Sequence, residues 1–361
     1  MDIPLYEPLL TDEDRAAVQE TLDSGWISPR GDEVARFEDE ITRFLGRDHG
    51  LAVDSGTAAL HLALASLGIG EGDEVLVPDF TFGAVGTVVR TVGAEPVLVD
   101  VEGETLGMDP AMAAEAVTAD TAAVLVAHMF GHPADMDGIA ALADREDLAV
   151  VEDAAQALGS TYHGELTGTV GDVGCFSFSW NKTLTTGKGG LVVTDTDNVF
   201  DRIRMTAEYG RDTQDRSSFV DAGVNYRMDN IRAALAREQF SRLDTLFERR
   251  KEIAGWYRER LDEHRVTVPS FPGEDRDAVP WMIYVLVEDE PTRDTAAAAL
   301  DREGIGYRTF YRPLHTMDAF TARSDYPVSE SVAGRGLMLP SGPGLSEEDV
   351  DTVCSVLNDV L

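Results

Sequence analysis

Lysine is almost absent from this 361-residue chain: only Lys182, Lys188 and Lys251 occur, and the other 27 of the 30 basic residues are arginine. Cysteine is rarer still. Cys175 and Cys354 are the only two, which excludes a disulfide framework or a cysteine-ligated metal cluster. No apolar run reaches the roughly 18–20 residues of a membrane span. The opening Met1-Asp2-Ile3-Pro4 has neither the basic nor the apolar region of a signal peptide, so a cytoplasmic protein with no membrane partner is expected. Positive charge is short overall: 66 acidic residues face 30 basic ones, a formal net charge of -36. Such a surface repels nucleic acid, and no nucleic-acid partner is expected. The acidic residues are scattered rather than gathered in a tail, the pattern of a hydrated surface working in concentrated salt.

Hydrophobic residues make up 43% of the chain and run along its whole length, which indicates a globular protein with a substantial core. Short β-branched runs alternate with helical patterns, predicting an α/β fold with crossovers. Strands are expected near 51–54, 74–78, 96–100, 122–127, 149–152, 173–178 and 190–194, with helices such as 57–67 and 135–145 between them. From Met228 to Leu261 apolar residues recur at helical spacing, predicting a long helical region. A strand at 281–287, a helix near 292–303, a short strand near 305–309 and a helix from Ser346 follow. Ser346 and Asp349 carry a capping-box signature, and Cys354 falls on that helix's apolar stripe with Val350, Val353 and Leu357. The order fits a large domain over 1–245 with a mostly parallel seven-stranded sheet, and a smaller α+β domain over 246–361.

Ligands of open α/β sheets bind beyond the carboxyl ends of the strands, and polar residues gather there. Ser55-Gly56-Thr57 opens a helix with free backbone N–H groups and two hydroxyls, which suits a phosphate and equally suits an ordinary N-cap. Glu152-Asp153-Ala154-Ala155-Gln156 ends another strand; Asp153 either caps the next segment or meets a protonated ring nitrogen. The segment from Cys175 to Gly190 places Lys182 just past a buried strand. Arginine serves surface charge as well as lysine does, but only an amine condenses with an aldehyde. Ser177, five residues earlier, is placed to face the same cavity. The spacing in Gly187-Lys188-Gly189-Gly190 is not that of a P-loop. His128 and His132 flank Gly131 and adjoin Pro133 rather than sharing a helix face, so no metal site is expected.

With these residues in place, the chain resembles the DegT-like sugar aminotransferases, a branch of the type I aspartate-aminotransferase fold. The resemblance spans the chain, from Ile3-Pro4-Leu5-Tyr6 and Ser24-Gly25-Trp26-Ile27-Ser28 through Ser55-Gly56-Thr57, Gly72-Asp73-Glu74-Val75, Thr81-Phe82 and Glu152-Asp153-Ala154-Ala155-Gln156. It continues in Asn225-Tyr226-Arg227-Met228, Pro313-Leu314-His315 and Leu339-Pro340. It implies pyridoxal 5'-phosphate as cofactor, with Lys182 holding it as a Schiff base and then shuttling a proton. It also implies Asp153 at the pyridinium nitrogen, Gln156 near the 3′ oxygen, Phe82 stacked on the ring, and Gly56, Thr57 and Ser177 on the phosphate. Asn225 would reach the neighbouring subunit's cofactor, making a homodimer the smallest functional unit.

Trp26-Ile27-Ser28 and Asn181-Lys182-Thr183 are most similar to perosamine-synthase-like members. This implies amination of a nucleotide-linked 4-keto-6-deoxy hexose with glutamate as donor. Arg227, Arg308 and Arg312 are candidate substrate contacts, because guanidinium groups suit carboxylate and phosphate, and His315 of the Pro313-Leu314-His315 motif is a further candidate. Each arginine equally suits a surface ion pair. Lys188 and Tyr209 depart from the family pattern, where glutamate and histidine are common. The retained Lys182 disfavours a dehydratase. Cyclitol or aminohydroxybenzoate-type aminotransferases share the scaffold, and a non-catalytic cofactor-binding regulator is the reading from another class.

Overall fold

The computed structural model describes residues 2–212, 215, 217–270 and 275–361. Two helices, α1 (Asp12–Ser24) and α2 (Asp32–Leu45), precede β1 (His49–Val53). Next come α3 (Gly56–Leu67), β2 (Glu74–Pro78), α4 (Ala84–Thr91), β3 (Glu95–Val99), α5 (Pro110–Ala116), β4 (Thr121–Ala127), α6 (Met136–Glu146) and β5 (Ala149–Asp153). A small hairpin, β6 (Thr161–Tyr162) and β7 (Glu165–Leu166), separates β5 from β8 (Val173–Ser177) and β9 (Gly190–Thr194). Then follow α7 (Asp197–Ala207), α8 (Asn230–Phe240), α9 (Leu243–Arg260) and β10 (Arg276–Asp277). The chain closes with β11 (Tyr284–Leu286), α10 (Glu290–Arg302), β12 (Arg308–Thr309), α11 (Pro327–Arg335), β13 (Gly336–Met338) and α12 (Glu347–Val360).

Seven strands form the central sheet in the order β1-β9-β8-β5-β4-β2-β3. Only β9 runs against the others, pairing antiparallel with both β1 and β8. The carboxyl ends of the parallel strands and the start of β9 therefore lie along one edge. Asp54-Ser55, Asp79, His128, Asp153, the residues after Ser177, and Gly190 all meet there. The interior strand β4 is a continuous apolar run, Val124–Ala127 being wholly buried, as a strand covered on both faces must be. Helix α3 is apolar on nearly every face because it sits between the sheet and α4 and α7.

The seven expected strands all form, with ends shifted by a residue or two. The helical region from Met228 to Leu261 is broken: Arg242 leaves helical geometry (φ −121°, ψ 25°), and the Ser241 hydroxyl bonds back to the Glu238 carbonyl at 2.7 Å. The expected strand at 281–287 shrinks to β11. That near 305–309 shrinks to β12, while Ile305 makes a separate bridge to Ile3. The capping box of α12 forms in both directions, and Val350, Val353, Cys354 and Leu357 are buried. Residues 245 and 246 fall in the first turn of α9. That helix begins in the core of the large sheet through Leu243 and Phe247 and ends in the core of the β11-β13-β12 sheet through Ile253, Ala254 and Tyr257.

Candidate active site

Beyond β8 the chain loops out and returns into β9, closed by the Phe178 N–H to Gly189 carbonyl bond at 2.8 Å. The side-chain amide of Gln239, from α8, pins both the N–H and the carbonyl of Thr185 at 2.9 and 2.8 Å. Two further bonds fix the tip. Tyr6 donates its hydroxyl to the Lys182 carbonyl at 2.9 Å, and Trp281 donates its indole N–H to the Asn181 carbonyl at 2.8 Å. The Lys182 side chain is half-buried, with its amine 3.9 Å above the centre of the Trp281 ring. Burial pulls its pKa down to about 7; the Asp153 carboxylate opposes this and the Arg250 guanidinium reinforces it.

Asp153 ends β5 at the same edge. Its carboxylate accepts the Ala155 N–H at 3.0 Å, a local turn rather than a helix cap, and burial raises its pKa against the opposing pull of that N–H and of Lys182. The preceding Glu152 points to the other face of the strand and is fully buried. The Ala134 N–H bonds to Nδ1 of His128 at 3.1 Å, so the imidazole proton sits on Nε2, which donates to Glu152 at 2.9 Å. Backbone N–H groups of Gly168, Val170 and Gly171 complete the shell of Glu152. Burial pushes that carboxyl up, but His128 and these N–H groups outweigh it and hold it below the ordinary range. The buried pair thus anchors the strand that presents Asp153.

A cradle of backbone lies beside the amine. Ser55 caps α3, accepting the Ala58 N–H at 3.1 Å, and leaves the adjoining N–H groups at the positive end of the helix. The turn is packed so closely on β8 and β9 that side chains are excluded: a Cβ on Gly190 would lie 2.5 Å from the Ser55 carbonyl carbon, and one on Gly56 would lie 2.9 Å from the Ser177 Cβ. Gly56 and Ser177 are therefore brought together, with Thr57 exposed beside them. Residues of this chemistry, with Lys182 and Asp153, fit a phosphorylated aldehyde.

Residues 8–358 match the DegT/DnrJ/EryC1/StrS aminotransferase family. The chain belongs to that family. A GDP-perosamine synthase of Caulobacter vibrioides is 39% identical over 365 residues, covering 99% of this chain and 98% of the relative. Among solved structures, a family aminotransferase from Brucella abortus superposes with a TM-score of 0.90 at 34% identity, covering 96% of this chain and 95% of that one. A protein from Streptococcus pneumoniae solved in its PLP form superposes at 0.94, with 27% identity and full coverage of both chains.

In this DegT-family chain the remaining sequence candidates divide. Phe82 is exposed at the site and packs edge-on against Tyr311 at 5.9 Å between ring centres. Tyr311 lies parallel to Phe130 at 6.2 Å, and Gln156 accepts the Phe130 N–H at 2.9 Å, so Phe82 and Gln156 belong to one aromatic wall. Arg308 is exposed and acts electrostatically on Tyr311, which itself feels Asp153. Arg227 is committed elsewhere, to Glu208 at 2.6 Å and Glu38 at 3.2 Å. Arg312 caps the Thr316 carbonyl. His315 is bonded to buried Asp79 through both its N–H and Nδ1, faces Glu330 at 3.3 Å and stacks on Tyr326. Asn225 is exposed and bridges Glu208. The two departures are at the surface: Lys188 pairs with Asp54 at 3.2 Å, and Tyr209 adopts φ +67°.

Sequence reasoning assigned no role to Tyr6, Arg250, Trp281 or Tyr311. Arg250 is buried and donates to the Trp281 and Ser341 carbonyls and to the Tyr6 hydroxyl. One signal was present. Arg250 interrupts the apolar stripe of Phe247, Ile253, Ala254 and Tyr257, and a charge on a buried stripe demands partners.

Proposed function

We propose that this chain moves an amino group from an amino-acid donor, L-glutamate, to a nucleotide-linked 4-keto-6-deoxy hexose, with Lys182 as the residue that takes up pyridoxal phosphate. The chain is a pyridoxal-phosphate-dependent nucleotide-sugar aminotransferase. GDP-perosamine synthases of three bacteria at 34–39% identity support the sugar class, and a Bacillus subtilis relative named for spore-coat polysaccharide biosynthesis supports a glycan as destination. The observation that carries the reading is a half-buried amine, its pKa pulled down to about 7 and coupled to Asp153, beside a backbone cradle with no room for side chains.

Pyridoxal phosphate supplies the electron sink that lets nitrogen leave one carbon and join another. The chain's residues do the rest. The Ser55-Gly56-Thr57 turn and Ser177 would bind the phosphate, Asp153 would hold a proton on the ring nitrogen, and Gln156 and Phe82 would orient the ring. An amine with a pKa near 7 is about half neutral at neutral pH, so Lys182 Nζ would be available both as the nucleophile that holds the cofactor and as a proton carrier at its carbon. Arg308 is the cation best placed for an anionic substrate group. Exposed Asn225 suits a partner subunit's site in a homodimer, and the protein works in a cytoplasm rich in salt.

The test is the visible spectrum of the protein with pyridoxal phosphate before and after L-glutamate. A long-wavelength band that forms in the parent, is lost with glutamate and is absent from Lys182→Ala is expected. A band that forms without Lys182 refutes the site, and a band indifferent to every amino donor refutes the reaction.

A further inference from the structure

The Lys182 ammonium makes no ion pair among the described residues; its close contact is the face of Trp281. That indole has little freedom to move. It is buried, its backbone N–H donates to the Phe130 carbonyl at 3.0 Å, its carbonyl accepts from Arg250, and its ring stacks on Phe130 at 6.0 Å. Its edge and its face also act on consecutive residues: the N–H holds the Asn181 carbonyl, while the ring lies beneath the Lys182 head. We propose that Trp281 is a positioning residue whose indole face seats the protonated Lys182 amine when that amine is not bonded to cofactor. The proposal rests on Lys182 being the reactive amine.

The choice of an aromatic face over a carboxylate has a physical consequence. A salt bridge in an enclosed site would hold the head protonated and resist its departure. The Asp153 carboxylate attracts the head from a distance without pairing with it; the ring quadrupole, strongest for tryptophan, attracts the cation at contact and releases it once the proton is gone. Arg250, which donates to the carbonyl of the same Trp281, disfavours the charged head by like charge. The seat thus fixes where the amine waits while leaving it free to react.

The rarity of lysine makes the test clean. Full-length protein, cofactor-free and loaded with pyridoxamine phosphate, is labelled with acetic anhydride across a pH series, and the extent at each lysine is read by mass spectrometry. Lys188 and Lys251, at the surface, serve as internal standards. Site-specific replacement of Trp281 by tryptophans of increasing fluorination drains the ring's electron density while keeping its shape and N–H. The Lys182 labelling midpoint is expected to fall stepwise, by about one pH unit across the series, with the other two lysines unmoved. Trp281→Phe, which keeps a weaker face, falls between parent and the most fluorinated form. A midpoint that stays put or rises through the fluorinated series overturns the proposal, because the indole would then act through shape or exclusion of water alone. Labelling needs no turnover, so a protein that fails to transaminate but shows the stepwise fall leaves the seat standing and removes the functional reading instead.

Discussion

Lys182 is costly to the fold. Its pKa in the folded chain is about 7, against roughly 10.4 for a free side chain. Below pH 7 the folded state must enclose a charge. Between about 7 and 10 the unfolded chain keeps its proton and the folded chain does not, so stability climbs with pH through that window. In cofactor-free protein, Lys182→Met should therefore raise the melting temperature by roughly 5 °C at pH 6.5, with the gain fading towards pH 10. A gain that is flat with pH would mean the amine is not enclosed. Glu152 is the converse case. Glu152→Gln leaves a neutral amide among four donors with only one oxygen to accept, and should destabilise by about 3 kcal/mol in a denaturant titration. A cost under half of that would show that the His128 contact is slack. At this scale the sequence reveals residues carried by a strand end, such as Lys182, Asp153 and Ser55, because the strand itself announces their place. It conceals Tyr6 and Trp281, which reach the lysine loop from 176 and 100 residues away and look like ordinary core aromatics until the fold closes.

At the scale of elements, the site depends on the β1–α3 turn lying flat on the first residue of β9. Gly190 is not needed for backbone freedom, since its φ is not positive; it is needed because the Ser55 carbonyl lies where its side chain would be. Gly190→Ala should lift the turn. The expected cost is about 1–3 kcal/mol in stability, together with at least a tenfold loss of pyridoxal phosphate affinity by fluorescence titration. Stability lost with affinity unchanged would separate the turn from the phosphate site. Periodicity shows that 228–261 is helical but not that it is two helices, because Ser241 and Arg242 are unremarkable helix residues. Tertiary bonds make the break: Arg242 turns aside to pair with buried Asp14 of α1. The break lets α8 clamp the lysine loop through Gln239 while α9 carries Arg250 to its other side.

For the whole molecule the deciding quantity is charge. Even if each of the 30 basic residues neutralised one acid, 36 acidic groups would remain without a partner. Added salt weakens exposed ion pairs such as Arg15–Asp12 and Arg43–Asp39, but exposed pairs contribute about 0–1 kcal/mol each. It also relieves repulsion among the surplus, whose range shrinks from about 30 Å at 0.01 M to about 3 Å at 1 M. Because the surplus exceeds the number of pairs, relief wins and stability should increase with ionic strength. Melting temperature measured in potassium chloride should rise steadily from 0.05 to 1 M, most steeply at the dilute end where screening changes most. Chloride is the proper probe, since sulfate stabilises through surface exclusion whatever the net charge. A maximum at low salt would mean that the ion pairs outweigh the surplus, and the reading of this surface as one built for concentrated salt would fall with it.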